Sequence, residues 1–136
     1  MKVKRVCLAL TIWLSLGASV SARGDFAAGR AAYLLGDYAG AMREYKADDS
    51  REACYRVGYM YDHGEGMPQD AKAAVEWYLK AADKGMVEAQ YRLGLSYYTG
   101  HGVEQDLKTA EKWYKKAAAQ GFLPAKEALM NLGKNK

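Results

Sequence analysis

The sequence predicts an all-α fold, a short α-solenoid of helix-turn-helix repeats. Three observations carry that reading. Residues 53–88 and 89–124 align without a gap, and 17 of the 36 positions are identical. Apolar residues in each unit recur at helical spacing. Glycine and aspartate punctuate both units at the same places. A period of roughly 20–50 residues is the mark of a solenoid or repeat array.

The elements follow in chain order. Residues 1–22 read as a signal peptide. Lys2, Lys4 and Arg5 precede a charge-free apolar run of 11 residues, Val6 to Leu16. Val20 and Ala22 then place small side chains three residues and one residue before a cut. The run is shorter than the roughly 20 apolar residues a membrane span needs. Residues 23–50 read as a helical hairpin: a helix over Phe26–Leu35, a tight turn at Gly36-Asp37, and a second helix through Ala41–Tyr45.

Residues 51–86 and 87–122 are the two full repeats. In helix A of each, Ala53, Val57 and Tyr61 recur every four residues, as do Ala89, Leu93 and Tyr97. In helix B, Ala74, Trp77, Tyr78, Ala81 and Ala82 form one stripe, and Ala110, Trp113, Tyr114, Ala117 and Ala118 repeat it. This is the buried face of an amphipathic helix rather than strand alternation. Gly64 and Gly66, then Gly100 and Gly102, stop helix A. Asp70 and Asp106 precede helix B and suit its free N–H groups. Gly58 and Gly94 lie inside helix A, where glycine costs about 1 kcal/mol. Their recurrence predicts close approach of the paired helix, with Trp77 and Trp113 filling the space between repeats and Tyr61 and Tyr97 in the core. Residues 123–136 read as a capping helix and tail. Lys126, Glu127, Asn131 and Lys134 give them a water-facing surface.

Composition narrows the function. Of 136 residues, 50% are hydrophobic and 26% charged, an ordinary balance for one folded domain. The net charge is +4. Signal cleavage removes three cations, leaving 17 Lys+Arg against 16 Asp+Glu. That balance gives no basic face for nucleic acid. Cys7 leaves as well, so Cys54 has no intramolecular disulfide partner.

The two central units resemble Sel-1-like repeats, a tetratricopeptide-related family. The match runs through Ala53, Gly58, Tyr61, Gly64, Gly66, Asp70, Lys72, Ala74, Trp77, Tyr78, Ala81, Ala82 and Gly85. It returns at Ala89, Leu93, Gly94, Tyr97, Gly100, Gly102, Val103, Asp106, Lys108, Ala110, Trp113, Tyr114, Ala117, Ala118 and Gly121. The first hairpin is more similar to a tetratricopeptide unit, through Gly29, Gly36, Asp37, Tyr38 and Ala41. Met67 stands where the family has valine, and Pro68 follows it, so the first A–B turn is expected to differ. The resemblance implies a right-handed solenoid whose A helices line a concave groove.

No motif for chemistry stands out. The chain has no G-x-S-x-G, no H-E-x-x-H and no phosphate loop. His63 and His101 fall at non-equivalent turn positions and read as solvated, so no metal or cofactor is expected. Asp48 and Asp49 lie in a short B–A turn and read as solvated or capping. A cysteine-rich branch of the same family is linked with β-lactam binding or hydrolysis. It carries paired cysteines in each repeat, and here Gln90 stands at the position equivalent to Cys54.

What remains is a surface. The outward positions of helix A are Phe26, Arg30 and Tyr33, then Tyr55, Tyr59 and Asp62, then Tyr91, Leu95 and Tyr98. Arg56 and Arg92 recur beside them and suit carboxylates. Tyrosine offers rigid apolar area with a polar tip, a combination favoured at interfaces. The same tyrosines read equally well as packing between repeats. The expectation is a non-catalytic exported module, periplasmic or secreted. It would bind a protein or peptide of the cell envelope through Arg30, Tyr33, Tyr55, Arg56, Tyr59, Tyr91, Arg92, Leu95 and Tyr98. The alternatives are an envelope enzyme acting on peptidoglycan or a β-lactam, and a structural oligomer of stacked repeats self-associating near Ala125.

Overall fold

The structure, a computed structural model, describes residues 24–134. The expected signal peptide, residues 1–22, lies outside the described residues. Seven helices and no strand occur among them: α1 Phe26–Leu34, α2 Tyr38–Asp48, α3 Arg51–His63, α4 Ala71–Asp83, α5 Val87–Thr99, α6 Leu107–Ala119 and α7 Leu123–Lys134. Each helix packs chiefly on its chain neighbours. The fold is an all-α helical-repeat solenoid of three hairpins and a final single helix. No helix among the described residues is long and apolar enough to cross a membrane.

Helix ends follow from local chemistry. Asp25, Asp37, Ser50, Asp70 and Asp106 each accept a backbone N–H at the start of a helix. Such bonds satisfy donors that the first turn leaves free. Met86, which precedes α5, offers no side-chain cap. Gly64 and Gly100 close α3 and α5 at φ 67° and 75°, where other residues are strained. The two A–B turns make the same bonds despite Met67 and Pro68. Asp70 N–H donates to Tyr61 O and Asp106 N–H to Tyr97 O, both at 2.9 Å. Gln69 and Gln105 donate to Asp62 O and Tyr98 O at 2.6 and 2.7 Å. The expected difference in the first turn does not reach these bonds, which involve neither Met67 nor Pro68. It shows in tighter packing, a Cβ on Gly64 falling 3.2 Å from Met67 O against 3.7 Å from Val103 O for Gly100.

One device holds every hairpin. A Cβ on Gly29, Gly58 or Gly94 would fall 2.7, 2.7 or 2.4 Å from a ring carbon of Tyr45, Tyr78 or Tyr114. The glycine of helix A therefore seats a tyrosine of helix B. Those three tyrosines are at most 2% exposed. This corrects the sequence expectation about which aromatics fill the core. Tyr61 and Tyr97 are half-buried. Trp77 and Trp113 lie half-buried on the seams between hairpins, with Lys80 and Lys116 over their rings at 3.8 and 4.3 Å.

A second device stacks the hairpins. A Cβ on Gly66 would fall 2.4 Å from Tyr38 Cβ, and one on Gly102 would fall 2.3 Å from Ala71 O. Each A–B turn thus rests on the start of helix B in the preceding hairpin. At the other end of helix B, Lys84 reaches back to Asp49, whose carboxylate lies at 3.0 Å. The equivalent Gln120 donates to Gly85 O at 3.3 Å and to Gln90 Oε1 at 2.8 Å. Asp49 holds a left-handed conformation at φ 53°, and Asp48 accepts from Ser50 Oγ. Both carboxylates, expected to be solvated or capping, are bonded within the fold, and that of Asp49 stays exposed to water.

Candidate functional site

The outward face of the A helices sorts into three layers. The first residue of each set packs on the plug tyrosine of its own hairpin. Ring centroids lie 5.4 Å apart for Phe26–Tyr45, 5.6 Å for Tyr55–Tyr78 and 5.7 Å for Tyr91–Tyr114. Tyr91 also meets Phe122 at 5.4 Å. Tyr55 and Tyr91 thus combine a packing role with their place on this face.

The second layer is arginine. Arg56 of α3 acts electrostatically on Tyr45 of the hairpin before it. Arg92 of α5 hydrogen-bonds Tyr55 and feels Tyr78 and Asp62 electrostatically, all in the hairpin before it. Burial works against the Arg92 charge, but a hydrogen bond with Tyr55 and attraction from Tyr55, Tyr78 and Asp62 outweigh it and raise its pKa. Tyr78 donates to Asp62 Oδ2 at 3.3 Å, and burial, then the Asp62 charge, pushes its hydroxyl up. His101 Nε2 lies 2.9 Å from Asp62 Oδ1. His101 is therefore an inter-repeat contact as well as an exposed turn residue. Glu65, its counterpart in the preceding repeat, reaches back in the same way to Tyr33, which holds the place of Asp62 in the first hairpin. Spacing did not show it because the residue types differ in each pair.

The third layer is variable. Arg30 is exposed. Tyr33 donates to the Glu65 carboxylate at 2.9 Å and meets Tyr38 edge-on at 5.4 Å. Burial, then that hydrogen bond, raises its pKa to about 12. Tyr59 stacks on His63 at 3.9 Å. Leu95 is half-buried, and Tyr98 is 38% exposed.

Tyr91, Leu95 and Tyr98 meet Tyr114 and helix α7 around a cavity of about 250 Å³. Glu127, Ala128, Asn131, Pro124 and Leu132 complete its wall. The structure brings these three predicted residues together at one end of the face. The other six are distributed along α1, α3 and α5. The α7 lining was missed in the sequence, where that helix reads only as a cap. Among the described residues no three of His, Cys, Asp and Glu group as metal ligands. Cys54 is free and fully buried, and burial raises its thiol pKa.

The family model described as Sel1 repeat matches residues 51–86 and 87–122, more than half of the sequence. The chain belongs to the Sel1 repeat family. Among solved structures it is similar to a Sel1 repeat protein from Oxalobacter formigenes, 37% identical with a TM-score of 0.75, over 79% of this chain and 46% of that one. A protective antigen of uropathogenic Escherichia coli strains with an SLR fold is 32% identical, with a TM-score of 0.64, over 71% of this chain and 24% of the antigen. The cysteine rich protein B of Helicobacter pylori is 26% identical with a TM-score of 0.63, over 65% of this chain and 69% of that one. This Sel1 repeat chain therefore spans less than half the length of the first two. A search of the curated proteins gives no match. Sel1 repeat proteins generally mediate protein–protein interaction, and the family is typically a non-catalytic scaffold.

Proposed function

We propose that this Sel1 repeat protein is an exported, non-catalytic adaptor that holds a segment of a protein partner in the cell envelope. The observation that carries the reading is the cavity of about 250 Å³ at Tyr91, Leu95 and Tyr98, between the A-helix face of α5 and helix α7. Aromatic area with hydrogen-bonding tips beside a carboxylate and a carboxamide suits peptide recognition. The apolar run and small residues of positions 1–22 support export.

The test is affinity capture from envelope extract with the protein as bait. A Tyr98→Ala, Leu95→Ser variant is the control, because both residues border the cavity and neither is a plug tyrosine. One partner lost with the variant, while its helical circular dichroism is unchanged, is the expected result. Equal capture by both proteins would refute the groove. Export is tested separately: the protein should appear in the periplasmic or extracellular fraction, shortened by the leader. Retention at full length in the cytoplasm would refute that part.

A further inference from the structure

The repeat itself shows what the cavity is shaped to take. Two of the three plug tyrosines feel the charge of an arginine from the next A helix: Tyr45 that of Arg56 and Tyr78 that of Arg92. Counting 36 residues on from Arg92 reaches Ala128 of α7, beside Tyr114. The partners of Arg92 map in the same way. Tyr55 becomes Tyr91, Tyr78 becomes Tyr114 and Asp62 becomes Tyr98. Those three tyrosines and Ala128 all line the cavity. The cavity thus stands one repeat on from the place of Arg92, with a methyl group where the arginine would be.

The cavity keeps features that favour a cation. Three tyrosines border it in the places that Tyr55, Tyr78 and Asp62 hold around Arg92, and aromatic rings and hydroxyls attract guanidinium groups. Glu127 is the one charged residue in the wall, and Asn131 adds a polar group. Asp62, the carboxylate that acts on Arg92, has no acidic counterpart at position 98, and Glu127 supplies the charge from the other side.

We infer that this cavity receives a basic side chain of the partner, arginine in preference to lysine, in the place the repeat elsewhere fills with its own arginine. This rests on the groove reading and adds to it the chemistry of the bound segment. Guanidinium fits better than ammonium because its flat face stacks on rings while its edge donates to Glu127.

The probe is the blocked tripeptide acetyl-Gly-Arg-Gly-amide, titrated into the full protein while the ring resonances of Tyr91, Tyr98 and Tyr114 are followed. The citrulline analogue has nearly the same shape and no charge. Saturable shifts confined to these rings and the α7 backbone are expected. Citrulline should bind roughly tenfold more weakly. Ala128→Arg should supply the missing side chain and abolish binding, while Glu127→Gln, at an exposed site, should weaken it without affecting folding. Equal binding of the citrulline peptide would overturn the inference, as would undiminished binding by a folded Ala128→Arg variant. Unmoved rings would also overturn it. The groove reading would then stand or fall separately, on whether capture of a protein still depends on Tyr98 and Leu95.

Discussion

At the scale of single residues, the pairing of glycine with tyrosine decides which substitutions the hairpins tolerate. Alanine normally improves a helix by about 1 kcal/mol over glycine. At Gly94 the new methyl would lie 2.4 Å from the Tyr114 ring, and overpacking of that kind costs roughly 1–3 kcal/mol. Gly94→Ala should therefore lower the melting temperature despite its better helix propensity. Gly133→Ala has nothing within 4 Å of the added carbon and should not lower it. Thermal melts of the two variants settle the matter; a more stable Gly94→Ala would mean the ring moves aside freely. The same logic ranks the aromatics. Tyr78 is 1% exposed, so Tyr78→Ala should cost about 3–5 kcal/mol. Half-buried Trp77 should cost less, since lysine stems and water already share its surroundings. Urea unfolding of both variants checks the order. The glycines were legible in the sequence through their recurrence. Their partner was not, because Trp77 and Tyr78 are adjacent on one stripe and spacing alone cannot show which ring enters the helix seam.

At the scale of elements, caps and turns were legible because a short-range bond needs only the right residue at the right offset. Asp70 and Asp106 illustrate the limit of that reading. Both cap helix B, but Asp106 also accepts from Thr109 Oγ1 at 2.7 Å, where repeat one has Ala73. That bond, then the Thr109 backbone N–H, holds the Asp106 carboxyl below its ordinary value. A depressed folded pKa contributes stability that is present above the unfolded value near 4. It is lost as pH falls through the folded value. The Asp106→Asn protein should thus melt below the wild type at pH 7, and the gap should narrow as pH falls through the folded value. A gap that persists in acid would place the effect outside the ionised carboxylate. The candidate site was legible only in part for a related reason. Tyr91, Leu95 and Tyr98 sit at predictable outward positions, but the opposite wall comes from α7, whose polar sequence gives no hint of a lining. The 36-residue frame carries the missing signal, an alanine at position 128 where arginine recurs.

At the scale of the whole molecule, the chain is a line of neighbours rather than a globe with one centre. Three buried clusters succeed one another along it. Ala125 and Leu132 of α7 complete the last, with Ala110, Tyr114 and Ala117 of α6. The first, between α2 and α3, contains no residue of α6 or α7. In such an array stability is a sum of unit and nearest-neighbour terms, so damage at one end should fade with distance. A chain ending after Gly121 tests this by native-state hydrogen exchange. It removes α7, uncovers Tyr114 and deletes one wall of the cavity. Amide protection in α5 and α6 should collapse, while α2 and α3 keep most of theirs, because local opening there draws on contacts the truncation leaves intact. Basic-peptide binding should vanish in the same protein even where its remaining helices stay folded. Equal loss of protection in every helix would show that the three clusters open as one cooperative unit, and that α7 supports the entire solenoid rather than its last repeat.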